Sequence, residues 1–206
     1  MAQGLMTARR ERDELALVDQ PEPRLDPSLF RDAMAQLAGG VAIVSCWDGA
    51  APSGLLISSI TALSTEPPRM LFCVRKAASA HGALLRGARC GLAVLSEHDR
   101  LEADRFSRSD RKAERFGADR WALESPAPPR LRRSLIGLDG VISHRIDAGT
   151  HTIFITDIYE VRLENHRPLI YFDRDFRKLR SADELVAGLE SLSGVTVWSP
   201  AAANGG

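Results

Sequence analysis

The 206-residue chain is short of cysteine, aromatic residues and net charge, and each shortage removes a class of function. With 27 Lys+Arg against 27 Asp+Glu, it offers no net positive field to hold a phosphate backbone or an anionic bilayer, so neither nucleic acid nor a membrane is an expected partner. Aromatics are 6% and scattered, which leaves no base-stacking platform. Cys46, Cys73 and Cys90 are odd in number, far apart and set within apolar runs, which suits small buried hydrophobes in a reducing compartment. No apolar stretch has signal-peptide or membrane-span length, so a cytoplasmic location is expected. Also missing are G-x-S-x-G, G-x-x-x-x-G-K-[ST], H-E-x-x-H, C-x-x-C and G-x-G-x-x-G. His81, His98, His144, His151 and His166 show no ligand spacing, so no metal is expected and no nucleophile elbow or Rossmann turn is present.

What remains is an ordinary globular composition, 44% hydrophobic and 26% charged. Residues 1–25 read as a charged leader ending in Pro21-Glu22-Pro23. Asp26-Pro27 then supplies an N-cap and a first-turn proline for a helix bearing Phe30, Ala33, Met34 and Leu37, which Gly39-Gly40 ends. Two β-branched runs, 41–47 and 54–60, flank the turn signal Asp48-Gly49 and predict antiparallel strands. Further strands are expected at 70–74, 90–95, 140–146, 152–163 and 169–172, a short helix at 79–86, and charged helix over 97–120. Ser181-Ala182-Asp183-Glu184 is a capping box opening a C-terminal helix with Leu185, Leu189 and Leu192 on one face, and 195–198 can add a strand. Many strands with few helices between them exclude a βαβ repeat. The expected class is mainly β, an antiparallel barrel over 26–176 with flanking short helices and a C-terminal extension over 177–206.

The stretch Gly54 to Pro68 concentrates hydroxyls, Ser58, Ser59, Thr61, Ser64 and Thr65, where the chain otherwise looks buried. Either they bond neighbouring backbone in a turn, or they and the turn's N–H groups line a site for a flat, polar-edged ligand. Segment 100–133 holds ten Lys+Arg against six Asp+Glu. It reads as a solvated, ion-paired helix, or alternatively it turns Arg105, Arg111 or Arg115 toward a ligand phosphate, with Phe106 and Phe116 beside them as core anchors or ring contacts.

Phe30-Arg31-x-Ala33-Met34, Gly40-Val41-Ala42-Ile43-Val44, the Gly54–Pro68 stretch, Leu71-Phe72-Cys73-Val74, Gly149-Thr150-His151-Thr152-Ile153-Phe154 and Pro168-Leu169-Ile170-Tyr171-Phe172 together resemble the flavin reductase domain family. The likeness spans residues 27–176 in order and spacing. It implies an FMN-binding split barrel, homodimeric, that uses NADH or NADPH to reduce FMN or FAD for a separate monooxygenase. The alternative is a non-catalytic flavin-binding module of the same fold. By this resemblance His151 matches the histidine of the family's G-D-H motif, beside flavin and nicotinamide. Ser58, Ser59, Thr61, Ala62, Leu63 and Ser64 would serve the ring's polar edge, and Ser79, with His81 near it, the flavin phosphate. Arg105 and Phe106 complete the expected flavin contacts. Hydride transfer between stacked rings needs positioning rather than a nucleophile, which fits the missing triad. The chain departs from the family at Thr150, where the motif has Asp, at Ala93 for Asn, at Ala80 for a phosphate-binding hydroxyl, and at Leu56 for Thr.

Overall fold

Val41 to Cys46 is an unbroken buried run because its strand is covered on both faces. Ala42, Val44 and Cys46 point into one core and Val41 and Ile43 into another. A strand enclosed on two sides loses the apolar-polar alternation of a half-buried one.

The computed structural model describes residues 25–181 and Glu184. The chain falls into two units, Met1–Met34 and Ala35–Gly206. Nearly all of α1 (Pro27–Ala35) lies in the first, and none of its residues is buried. Its start is capped as expected: Asp26 Oδ1 accepts the Ser28 N–H at 2.8 Å and Oδ2 accepts the Ser28 hydroxyl at 2.7 Å. These bonds lower the Asp26 pKa.

The second unit opens with β1 (Gly39–Gly40), β2 (Ala42–Asp48), β3 (Ala51–Ile57), β4 (Ile60–Thr65) and β5 (Pro68–Arg75). Helix α2 (His81–Arg86), β6 (Arg89–Val94) and α3 (Arg100–Ser107) follow, then a 3-10 turn at Lys112–Glu114. The remainder is β7 (Trp121–Ala122), β8 (Arg130–Leu131), the long hairpin β9 (Ile136–Ala148) and β10 (His151–Leu163), and β11 (Leu169–Phe172) with β12 (Asp175–Lys178). Seven strands form one antiparallel sheet in the order β3-β2-β6-β9-β10-β5-β4, while β1, β11 and β12 form a smaller sheet and β7 pairs β8.

The two edges of the large sheet, β3 and β4, are consecutive in the chain, joined by Ser58 and Ser59 alone. Three Cα steps reach at most about 11 Å, whereas the edges of a flat seven-stranded sheet lie about 29 Å apart. The sheet therefore curls until its edges approach at this end.

Inside the curl, Phe72 stacks on Phe154 with centroids 5.3 Å apart, and α2 inserts Ala83 and Leu84. On the outer side of β2 and β6, a second core gathers Ala103 and Phe106 of α3 with Trp121, Leu131 and Leu169. Ala93, where the family has Asn, is buried in this second core.

Two expectations change. The run 54–60 is two strands rather than one, because the chain crosses from one sheet edge to the other at Ser58-Ser59. The charged segment 97–120 is helical only over α3 and the 3-10 turn. Beyond Ser107 the side chains pair within the loop, Arg108 with Asp110 and Arg111 with Glu114, and Phe116 at φ 61° is incompatible with helix. The capping box does form, with Ser181 Oγ accepting the Glu184 N–H and Glu184 Oε2 accepting the Ser181 N–H, both at 3.3 Å. The leader, the helix that this box opens and the 195–198 strand lie outside the described residues. Among the described residues no helix is long and apolar enough to cross a membrane.

Candidate functional site

A cleft of about 1160 Å³ opens where β3 passes to β4. Leu55, Leu56 and Ile57 lead into it, and Ser58 and Ser59 sit at the crossing. The end of β5 (Cys73, Val74, Arg75), the loop Ala77–Ser79 and His151 at the start of β10 form one wall. The α3 segment with its following turn and the β11–β12 hairpin supply the rest, including Phe106, Tyr171 and Phe176.

His151 is placed by a two-residue hairpin. Gly149 sits at φ 67°, a conformation glycine adopts without strain, and donates its N–H to Asp147 Oδ1 at 2.9 Å. Lys76 Nζ holds the same carboxylate at 2.7–2.8 Å, and the Lys76 N–H bonds Thr150 O at 3.0 Å, fastening the hairpin tip to β5. Lys76 also pulls the Asp147 pKa down. His151 lies opposite Arg75 in the β5–β10 register, so both project from the same face. Its Nδ1 is 2.9 Å from Thr150 Oγ1. Among the described residues Nε2 has no hydrogen-bond partner.

Of the expected contacts, Ser58, Ser59, Ser79, Phe106 and His151 line the cleft together. Ser58 and Ser79 make no side-chain hydrogen bond among the described residues. The Ser59 hydroxyl is engaged: it donates to Cys73 O at 2.8 Å and accepts the Cys73 N–H at 3.2 Å, extending the β4–β5 ladder. Phe106 presents only an edge, since it is 3% exposed and packs with Phe116 and Trp121.

Thr61, Ala62, Leu63 and Ser64 are not among the lining residues. They run along β4, an extended edge strand rather than a turn, and Ser64 Oγ donates to Pro67 O at 2.6 Å to close the β4–β5 hairpin. His81 is likewise outside the lining, because its Nε2 meets Thr152 Oγ1 at 2.9 Å under α2 and its ring meets Phe154 edge-on. Arg105 is held by Glu102 at 2.5 Å, and Arg111 by Glu114. Ser64, His81, Arg105 and Arg111 each have a partner within the fold.

Arg115 does line the cleft, but its guanidinium is spent on the backbone. It donates to the carbonyls of Arg105 and Arg108 at 2.9 Å, of Gly54 at 3.2 Å and of Phe106 at 3.3 Å. Partial burial lowers its pKa. Arg100 pairs with Asp104 and Asp175 and lies over the Phe176 ring. The cations that the sequence reading missed are Arg75 and Lys112, both exposed, both lining the cleft and neither paired among the described residues. Arg75 carried one signal, its position opposite His151 at a strand end; Lys112 carried none beyond being one of three lysines.

Burial drives the Cys46 and Cys90 thiols up to about 12, so both remain protonated hydrophobes. Cys73 borders the cleft and its pKa is raised by the same cause.

Comparison with known proteins places this geometry. A family model described as flavin reductase like domain matches residues 34–180. The chain is 30% identical over 154 residues to an FMN reductase (NADH) RutF of Stutzerimonas stutzeri, covering 74% of this chain and 88% of that protein. It is also 30% identical over 159 residues to the actinorhodin polyketide dimerase of Streptomyces coelicolor, covering 76% and 89%. Among solved structures it is similar to BorF, the flavin reductase component of a bacterial two-component tryptophan halogenase, with TM-score 0.69, 28% identity and coverage of 76% and 99%. A flavin reductase domain protein from Arthrobacter sp. FB24 superposes with TM-score 0.70 at 26% identity, covering 76% and 97%.

Proposed function

This chain belongs to the flavin reductase like domain family, and from that membership and the shape of the cleft we propose that it catalyses NAD(P)H-dependent reduction of FMN or FAD. The observation that carries the reading is an open cleft with an apolar lead-in, free serine hydroxyls and unpaired cations, with an imidazole at its wall. Its volume exceeds the range usual for one small ligand, leaving room for two planar rings.

The residues fit a flavin. Leu55, Leu56, Ile57 and Val74 offer an apolar slot, Ser58 a hydroxyl at its mouth, and Ser79 with Arg75 a phosphate contact. When bound, the nicotinamide supplies a hydride that the flavin ring accepts, so NAD(P)H plus a proton and oxidised flavin give NAD(P)⁺ and reduced flavin. The protein's task is to hold the two rings face to face and keep water from between them. His151 acts there through Nε2, with Nδ1 fixed by Thr150. Thr150 sets the ring's orientation without adding a negative charge.

The curled sheet is a split barrel open at the Ser58-Ser59 crossing. The chain works as a homodimer and passes reduced flavin to a separate monooxygenase. The likeness to BorF, itself named as a component of a two-component system, supports that last step.

The test is direct. Purified protein mixed with NADH and FMN in air should consume NADH catalytically, at a rate that depends on free flavin. Tight flavin retention with no turnover would replace the enzyme by the carrier module.

A further inference from the structure

The loop that follows α3 neutralises its own charges almost completely. Arg105 is taken by Glu102 and Arg108 by Asp110, while Arg111 is taken by Glu114 and Arg115 by four carbonyls. Asp104 is taken by Arg100. Lys112 is left over. It lines the cleft, is exposed, and its side chain has no hydrogen bond or ion pair among the described residues. Ser109, three residues earlier, also lines the cleft with its hydroxyl unpartnered. A lone ammonium and a free hydroxyl on one short turn, anchored by the Arg115 clamp, make a donor pair for an anion.

These two residues come from a different element than Arg75 and Ser79, which belong to β5 and the loop after it. A mononucleotide carries one phosphate and can satisfy one such point. A dinucleotide carries a second phosphate away from the reacting ring. We infer that Lys112 and Ser109 form a second phosphoryl-recognition point, which grips the outer half of a dinucleotide substrate and sets preference for it over a mononucleotide. The inference rests on the flavin reductase reading and names two sources of the same chemistry, the adenylate half of FAD and that of NAD(P)H.

The experiment compares the wild-type protein with Lys112→Gln, Lys112→Arg and Ser109→Ala, using FMN, FAD, NADH and NADPH as varied substrates and equilibrium titration of FMN and FAD by fluorescence quenching. In Lys112→Gln the ratio of KM for FAD to KM for FMN should rise about three- to tenfold if the flavin is the source. If the nicotinamide is the source, KM for NADH or NADPH rises by that factor relative to FMN. In either case KM should move more than kcat, Lys112→Arg should restore most of the loss, and Ser109→Ala should show the same direction with a smaller change. The affected KM should also become less sensitive to salt. Equal rises for FMN and every dinucleotide, or a fall in kcat with all KM ratios unchanged, would overturn the inference and mark Lys112 as scaffold. A wild-type protein without turnover would sink the enzymatic reading instead, and the FAD-to-FMN affinity ratio would then decide for or against a flavin-held Lys112.

Discussion

Replacing Arg115 by Met removes a guanidinium while keeping a side chain of similar reach, and the structure gives the cost. Two of its four carbonyl contacts are at 2.9 Å and two at 3.2–3.3 Å, and the cation also lies 5.2 Å from the Phe106 ring centre. A net worth of roughly 1 kcal/mol for each good bond, discounted where water can replace the donor at the exposed Arg108 carbonyl, leaves about 2–3 kcal/mol. For a chain of this size that is roughly 4–12 °C in melting temperature. The loss falls on one place. Gly54 O and the end of α3 part, and Phe116, held at φ 61° by packing on Phe106 and Trp121, loses the clamp beside it. Flavin affinity should drop with stability, because the freed segment forms a wall of the cleft. Differential scanning calorimetry of ligand-free protein and a flavin titration measure the two effects. Arg115→Lys should fall between, since an ammonium cannot span four carbonyls. An unchanged melting temperature in Arg115→Met would refute the clamp.

Other expectations are as sharp. His151→Ala should lower kcat/KM for NADH oxidation by about ten- to a hundredfold while flavin affinity changes less than threefold; unchanged rates with collapsed flavin binding would reverse its assigned role. In native protein near pH 8 iodoacetamide should label Cys73 alone, and FMN should slow the labelling; prompt reaction at Cys46 or Cys90 would contradict their burial. Below pH 9 those two thiols keep their protons folded or unfolded. Between pH 9 and about 12 only the unfolded chain ionises, so stability should decline across that window, and less so in a Cys46→Ala/Cys90→Ala variant followed by urea unfolding. Two glycines inserted between Ser58 and Ser59 should cost little loop entropy yet weaken flavin binding at least tenfold; undiminished affinity would detach the cleft from the crossing.

Much of the fold was legible, because β-branched runs, the Asp48-Gly49 turn and the Ser181–Glu184 box each act through local backbone preference. His151, quoted within a motif, stands at the start of β10 and lines the cleft, and Ser79 lines it from the loop before α2, but tertiary partners are not legible in sequence. Nothing in the residue types says that Thr152 will capture His81, or that Ser59 will spend its hydroxyl on Cys73 while Ser58 keeps its own free. The charged stretch left two readings open, ion-paired or ligand-facing, and the partners seen are those of the ion-paired one. Its arginines look like ligands until Glu102, Asp110, Glu114 and four carbonyls are seen to occupy them. Buried Asp139, gripped by Arg130 and Arg162, is another pairing that only the register of β8, β9 and β10 creates.

The position of the cleft follows from strand order rather than from any one side chain. A sheet whose first and last strands are neighbours in sequence must bend until a two-residue link can join them, and the bend leaves its opening at that link. Backbone there has no strand on one side, so it retains donors and acceptors that a closed ladder would consume. The residues best suited to fill such a position are small and polar, able to bond the ladder or a ligand. Ser59 does the first and Ser58 stays available for the second. The neighbouring strands β5 and β10 are in register at the same end, so Arg75 and His151 arrive at the opening together. With Thr at 150 and Ala at 80, the side chains that reach the opening are those of Ser58, Ser79, Arg75, Lys112 and His151, drawn from separate elements.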